Sequence, residues 1–506
     1  MLIYTRYECI EVIMATRKSK IPQEIRDAIP EDIRDCAIIG YSKQSGRYYA
    51  YKLLGVKYDP AKKRGIDQRL PLGSIKDGKF TYSPTYLKEK KISELKNELR
   101  AKDEVRKNEI KETASKAVQT IEKTTVKVEE VRQLAKVRYP INDILTVCLL
   151  ASFAGYTSAV SIAHYWKQYQ SELAEIFDQL PEEIPSHDTI NRLLRLIDPK
   201  KFNGLLSLLS VPQLKKARHI HIDGQAVRAS KTKNCQKGRY LFNAYDSARH
   251  FFITHELIDE KSNEITHAKS LLESLDLSSG DIFTSDAMNT QKDLVDFARS
   301  READYCLAVK KNHRSLYKGI VEQILLHGQE AYQVSSLDCD HGRIETRSAS
   351  ILPAKVLPAN LLTQWKDLVK GSIIATSTIR EFKGGVIDNK DTFQTRYFIT
   401  SLPCNNQEQA EGIVKIIRDH WSIENCLHWV LDVDFNEDRL QASNPNYLAN
   451  RSLLIKNALN VLKLAQKSYK DNNKTHYSVK SLMQLCSNPF DALETLSRAI
   501  MVLEKL

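Results

Sequence analysis

Three acids stand out by type and setting: Asp223 in His219-Ile220-His221-Ile222-Asp223-Gly224, Asp286 in Ile282-Phe283-Thr284-Ser285-Asp286, and Glu424 in His420-Trp421-Ser422-Ile423-Glu424-Asn425-Cys426-Leu427-His428-Trp429. The first two end short apolar, β-branched runs, the pattern of strands whose ends face a site. Glu424 sits among Trp421, Ile423, Leu427, Val430 and Leu431 on an apolar helical pattern, where burying an unpaired carboxylate is costly and calls for a cation or a donor. Three carboxylates converging from two strands and a helix could hold two divalent cations about 4 Å apart, an arrangement that activates a nucleophile and stabilises a leaving oxygen at phosphorus. Magnesium suits such a site because carboxylate and phosphate oxygens can share its shell, with manganese as a substitute. Spacing alone does not select this triple, since the chain holds 63 acidic residues and Asp432, Asp434, Glu437 and Asp438 follow Glu424 as alternative third ligands. A zinc hydrolase is a separate reading: His420, Glu424 and His428 stand four apart on one helix face, although the spacing differs from His-Glu-x-x-His.

The elements that must position these acids begin after Lys215-Lys216, where strands alternate with helices. Strands are expected at His219 to Asp223, Tyr240 to Ala244, Phe251 to Leu257, Ile282 to Ser285 and Tyr305 to Val309, with helices from about His267 to Leu275 and Gln291 to Arg301. The pattern is α/β. Strand-rich sequence then intervenes around Arg343 to Ile351, Ile373 to Ile379 and Thr395 to Thr400, before a helix from about Asn406 to Leu431 brings in Glu424. Lys310, Lys311, Asn312 and His313 follow a strand expected to end beside Asp286, and read as phosphate contacts or as a solvated loop. Arg343 and Arg347 flank Glu345 on one strand face, as a DNA clamp or an internal salt bridge.

Upstream, residues 36 to 82 alternate as strands do, with turn signals at Ser45-Gly46, Asp59-Pro60 and Asp77-Gly78. Between Lys57 and Lys79 this stretch has seven basic residues against three acidic ones, and Lys57, Lys62, Lys63 and Arg64 are candidate phosphate contacts. Ser83 to Val137 reads as one long charged helix, a connector or dimerisation arm without sustained heptads. Ile144 to Ala163 carries no charge and is nearly long enough to cross a bilayer, but its hydroxyls and the Gly155-Tyr156-Thr157-Ser158 break make it a buried helical hairpin. The chain thus divides into a basic β-rich module (1–82), a charged helical connector (83–137), a helical domain (138–216), an α/β domain (217–465) with a β insertion at about 310–402, and a helical tail (466–506). Met14 would serve as a natural start, which makes residues 1–13 an expected extension.

Lys plus Arg number 75 against 63 Asp plus Glu, a surplus of twelve that favours a polyanionic partner. Nine scattered cysteines without a Cys-x-x-Cys pair suit reduced thiols in the cytoplasm rather than a disulfide framework or zinc ribbon.

Together His-Ile-Asp-Gly-Gln at 221–225, Thr-Ser-Asp-Ala-Met at 284–288 and the run from His420 to Trp429 resemble the signature of bacterial insertion-sequence transposases of the DDE type, in the branch of H-repeat-associated proteins. The likeness extends over roughly 138–465, taking in Ile184-Pro185-Ser186-His187-Asp188-Thr189, residues 259–265 and Leu431-Asp432-Val433-Asp434-Phe435-Asn436-Glu437-Asp438. It implies an RNase H-like core with Asp223, Asp286 and Glu424 as a magnesium-binding catalytic triad. A water activated there would cut the phosphodiester at the element's end, and the released 3′-hydroxyl would attack target DNA. It further implies double-stranded DNA as partner (element ends and target), a dimer on DNA, no membrane, and a nucleoid-associated cytoplasmic location. His420 and His428 become expected DNA contacts or supports of the site. Gln225 stands where related proteins carry lysine, and His420 and Leu431 replace the arginine and lysine of a better-known branch, so DNA handling near Glu424 must differ. A domesticated relative that binds DNA without cutting it remains open.

Overall fold

The computed structural model describes residues 21–59, 64–125, 127–177, 180–210, 217–231, 238–258, 264–340, 343–382, 393–473 and 476–505. Its chain clusters into two compact units, 1–109 and 110–506. Residues 1–13, Lys62, Lys63 and most of the 259–265 motif lie outside the described residues.

The first unit holds an antiparallel sheet of four strands in sequence order, β1 (Ile38–Ser42), β2 (Arg47–Asp59), β3 (Arg64–Lys76) and β4 (Lys79–Tyr82). Ile29, Ile33, Ala50, Leu72 and Ile75 form its small core. The β2–β3 pairing runs to Asp59↔Arg64, and Lys57 lies exposed on it. The helix Pro84–Thr125 follows and is shorter than the expected 83–137.

The second unit is built on one nine-stranded sheet. Its strands are β5 (His219–Val227), β6 (Arg239–Asp246), β7 (Phe251–Ile258), β8 (Ile282–Ser285), β9 (Asp304–Val309), β10 (Tyr332–Asp340), β11 (Arg343–Pro353), β12 (Ser372–Phe382) and β13 (Phe393–Thr400), in the order β10-β11-β12-β13-β9-β8-β5-β6-β7. Among the described residues, only β5–β8 and β8–β9 pair in parallel. The β-rich stretch is no separate body, because β13 pairs with β9 and continues the sheet.

Strand alternation feeds separate cores. Ile220, Ile222, Phe242 and Ala244 pack beneath the sheet with Leu271, Leu272, Leu294 and Val295 from the helices Glu264–Glu273 and Lys292–Ser300. Leu241 and Tyr245 point the other way, into a helical core with Ile423, Leu427 and Leu431. A third cluster seats Ala410, Ile413, Ile416 and Ile417 of the helix Gln407–Asp419 on Ala349, Ile351 and Ile374.

The uncharged run folds as the expected hairpin, Ile141–Phe153 and Ala159–Gln168, with Gly155 at φ +80° in the turn. Fully buried Arg451, on the long helix Pro445–Asn473, closes that turn with Nε 2.8 Å from the Thr157 carbonyl and Nη2 2.8 Å from that of Tyr156. That helix crosses residue 465 without a break, and Pro489–Leu503 packs in the same core. No helix among the described residues is long and apolar enough to cross a membrane.

Candidate functional site

The site starts from strand register. β5 and β8 pair in parallel through His221↔Thr284 and Ile222↔Ser285, so Asp223 and Asp286 each follow directly on the last paired residues of two adjacent strands. β8 ends at Ser285, which frees Asp286 to head the loop beyond. Because Ile220 and Ile222 face the lower core, His221 and Asp223 face the opposite side, toward the segment bearing Glu424.

That segment is not one continuous α-helix. Gln407–Asp419 gives way to a π-helical turn, Ile423–His428, before α-helix resumes at Trp429–Val433. A π turn adds a residue to the loop closed by each hydrogen bond and shifts the faces on either side of it; such turns are frequent at functional sites. Ile423, Leu427 and Leu431 are buried as expected, whereas Trp421 and Trp429 are 45% and 58% exposed and do not provide the packing. Glu424 is itself exposed. The expectation of a buried carboxylate is corrected: Glu424 faces solvent in a cleft, and apolar neighbours hold only the other side of its turn.

Thr284 ties the parts together. Its Oγ1 lies 2.6 Å from Nδ1 of His221 and 2.7 Å from Nδ1 of His420, while His221 Nε2 is 2.6 Å from Ser247 Oγ. Burial pushes the pKa of His221 well down and lowers that of His420, although the Asp286 charge raises the latter in part. These imidazoles therefore act as neutral hydrogen-bonding groups.

Asp223, Asp286 and Glu424 line one cleft of about 620 Å³, together with Thr284, Lys310, Lys311, Arg396, His420 and Trp421. Lys310 and Lys311 are exposed there. Asn312 donates from Nδ2 to the Ala287 carbonyl at 2.9 Å, which pins the loop after Asp286. Asp432 and Glu437 turn inward instead: Asp432 accepts from Gln225 Nε2 at 2.8 Å, and burial, reinforced by Glu437 and Asp438, raises its pKa to about 6. Neither lines the cleft, nor do Asp434 and Asp438.

The donor set suits a hard divalent cation, since two aspartates in neighbouring register and a glutamate open onto one solvent-filled space. Among the described residues no three His, Cys, Asp or Glu groups close on one point as ligands of a single ion. Two ions sharing three carboxylates ask for fewer protein ligands each, the rest coming from phosphate and water. A zinc site on His420, Glu424 and His428 lacks support, because among the described residues these three do not form a cluster that could hold a metal ion.

A second groove of about 410 Å³ adjoins the cleft and shares Gln394, Arg396, Phe398, Ile417 and Trp421 with it. It crosses β13 to β10 and is lined by Arg347, Arg380, Arg396 and Arg418 against one lining carboxylate, Glu345. Arg347 meets the expectation of an internal salt bridge, pairing with Glu345 and Asp338. Glu345, 3% exposed, also accepts from Arg380 Nε at 2.9 Å. Arg396 stacks on Trp421 at 4.9 Å from the ring centroid. Arg343 and Arg64 are placed by backbone pairing alone, at the starts of β11 and β3.

Comparison with known proteins matches the sequence in two stretches. Residues 214–461 match the family model described as Transposase DDE domain, and residues 125–208 match the model described as DDE_Tnp_1-associated. YncI of Escherichia coli O157:H7, which bears a transposase name, is 30% identical over 342 residues, covering 66% of this chain and 85% of the relative. The chain belongs to the DDE transposase family. Within that family, the H repeat-associated YhhI of Escherichia coli strain K12 is 30% identical over 345 residues, 66% of this chain and 88% of its own. YbfD, of the same strain and likewise named H repeat-associated, is 32% identical over 228 residues, 44% of this chain and 88% of its own.

For this family member, sequence reasoning missed the groups that hold the acids in place. Thr284 and His221 belong to quoted motifs, but their partners lie 136 and 63 residues away along the chain. Asn243 and Lys456 were not singled out. A lysine inside Leu453-Leu454-Ile455-Lys456-Asn457-Ala458-Leu459 was the available signal, and it is fully buried. His428, expected at DNA, is 8% exposed, with Nε2 3.1 Å from Asn243 Nδ2 and Nδ1 3.8 Å from Asp223 Oδ2. Of its two expected roles, DNA contact or support of the site, the buried position fits the second, since an interior ring cannot reach a phosphate.

Proposed function

We propose that this chain is an active transposase, cutting phosphodiester bonds at the ends of an insertion sequence and joining the 3′-hydroxyl ends to target DNA, on an RNase H-like core. The observation that carries this reading is the parallel register that sets Asp223 beside Asp286 where β8 ends, with Glu424 lining the same cleft. Asp223, Asp286 and Glu424 would hold two divalent cations, magnesium or manganese, which supply a nucleophile at neutral pH and neutralise charge on the phosphorane-like transition state.

The chain's own residues align the substrate. Lys310 and Lys311 flank the cleft and offer two charges to scissile-strand phosphates, while the loop they begin is pinned through Asn312. The arginine groove gives double-stranded DNA a path away from the cut. There Glu345 and Asp338 preset the guanidinium groups of Arg347, Arg380 and Arg418, so little side-chain freedom is lost on binding. Lys57 and the rest of the basic ribbon suit a further contact to the element's end, and the helix Pro84–Thr125 suits pairing of two protomers on DNA. Such a protein would work at the nucleoid.

The test uses the full chain with supercoiled DNA carrying the inverted repeats that flank its coding region. Nicking that needs magnesium or manganese, and disappears in Asp286→Asn with melting temperature kept, is the expected result. Full cleavage by Asp286→Asn would overturn the triad. Tight binding of end DNA without cutting in either metal would favour a DNA-binding relative that has lost catalysis.

A further inference from the structure

A line of polar side chains runs from the cleft into the interior, and the hydrogen-bonding rules leave it one reading. Lys456 Nζ, fully buried, lies 2.7 Å from Asn243 Oδ1, 3.4 Å from Glu437 Oε1 and 3.4 Å from His255 Nδ1. An ammonium only donates, so the atom of Asn243 facing it must be the carbonyl oxygen. The amide nitrogen then points the other way, toward the Leu241 carbonyl at 3.1 Å and His428 Nε2 at 3.1 Å. A flipped amide would press NH₂ against the ammonium and set a carbonyl oxygen against the Leu241 oxygen, so both ends fix the same orientation. Since Nδ2 donates, His428 Nε2 must accept, and the ring carries its proton on Nδ1. That Nδ1 faces Asp223 Oδ2 at 3.8 Å. Asn243 is also the cross-strand partner of Asp223 in the β5–β6 register, so β-pairing itself holds the relay in line with the acid.

We infer that Lys456, acting through Asn243, selects the Nδ1–H tautomer of His428 and thereby aims a neutral N–H at Asp223; all three are positioning residues for that carboxylate. The opposite tautomer would turn a lone pair toward Asp223 and repel it. Glu437, fully buried and accepting from Ser452 Oγ at 2.5 Å, holds the ammonium at the far end. Well-packed apolar residues commonly replace a buried ion pair at no loss of stability, so folding alone gives little reason for a lysine at 456. Donors to a ligating carboxylate orient it and tune its basicity, and their removal typically weakens metal affinity about 10–100-fold. The consequence for metal binding rests on Asp223 being a ligand, as proposed above; the tautomer does not.

The experiment is two-bond ¹H–¹⁵N correlation on the full chain with ¹⁵N-histidine, His428 being assigned by His428→Gln. In the wild type, a protonated Nδ1 and bare Nε2 are expected; a protonated Nε2 with bare Nδ1 overturns the inference without any variant. In Lys456→Met/Glu437→Gln, which removes the ion pair together, the Leu241 carbonyl alone orients the amide, so part of the His428 signal should move to the other tautomer; an unchanged signature removes Lys456 from the relay. Titration with Mn²⁺ alone separates the two readings. Weakening by Asp223→Asn and, about tenfold or more, by Lys456→Met/Glu437→Gln supports both. If Mn²⁺ affinity is indifferent to Asp223→Asn, the triad fails while the tautomer result stands.

Discussion

The Thr284 hydroxyl lies 2.7 Å from Nδ1 of His420, and this one contact ties the strand that leads to Asp286 to the chain segment that bears Glu424. Its oxygen also meets His221 Nδ1 at 2.6 Å, so a single hydroxyl bridges β5, β8 and the helical segment above them. Replacing Thr284 with valine keeps the shape and β propensity but strands two ring nitrogens. The cost in stability should be ~1–3 kcal/mol. Metal-dependent nicking should fall further than stability explains, about 10–100-fold, because small misplacements of reacting groups are that costly. Unchanged turnover of folded Thr284→Val would show that His420 does not help place Glu424.

Charge at the cleft should appear as salt dependence. Lys310 and Lys311 are exposed beside the proposed triad, and each phosphate contact contributes roughly one unit to the slope of log affinity against log salt. Lys310→Gln/Lys311→Gln should reduce that slope by about two and weaken different DNA sequences alike. A slope equal to the wild type would return both lysines to the status of a solvated loop.

The arginine groove predicts a separate loss. Arg418 is about half exposed, with Nη2 3.2 Å from Asp338 Oδ2, so its removal costs the fold little. Arg418→Ala combined with Arg396→Ala should lower end-DNA affinity about tenfold or more at moderate salt while leaving the melting temperature within a degree or two. Fluorescence anisotropy with a labelled duplex measures the first and a thermal melt the second. Equal affinity would mean that DNA leaves the cleft by another route.

Stability should carry a pH signature from Asp143. The residue lies 5% exposed in the first turn of Ile141–Phe153, and burial raises its pKa from 3.8 to about 6. Between those values the folded chain holds the proton more tightly than the unfolded one, so this group's contribution falls as pH rises through the window and stays low above it. Asp143→Asn removes the penalty and should stabilise the protein at pH 7.5 by ~1–3 kcal/mol, less whatever the helix N-terminus returns to the charged form. That gain should shrink steadily toward pH 4. A gain independent of pH would show that it came from packing.

Much of this was legible in the chain. Alternation in His219 to Asp223 and in Ile282 to Ser285 named two strands, and Gly155 broke an uncharged run into the hairpin that forms; β8 stops just before Asp286 as expected, but β5 runs on to Val227 and leaves Asp223 in mid-strand, because its pairing with β6 continues past the acid. Such patterns are local, because a strand repeats every two residues and a helix about every 3.6. The setting of Glu424 was legible only in part. Apolar residues around it suggested burial, yet the π turn at Ile423–His428 leaves Glu424 exposed and both tryptophans outside the core. Phase accumulated along an ideal helix cannot anticipate a turn that changes it.

By itself, the sequence determined the family, the α/β class, the order of the acids and the surplus of positive charge. Tertiary structure decided that the β-rich stretch extends the same sheet, that Arg347 is held by Glu345 and Asp338, and that His428 looks inward at Asn243. Those outcomes depend on pairs such as Asn243 and Lys456, 213 residues apart, whose interaction exists only once sheet and helix have packed. A side chain's type is written in the sequence. Whether it meets solvent, a metal or another side chain depends on what the fold sets opposite it.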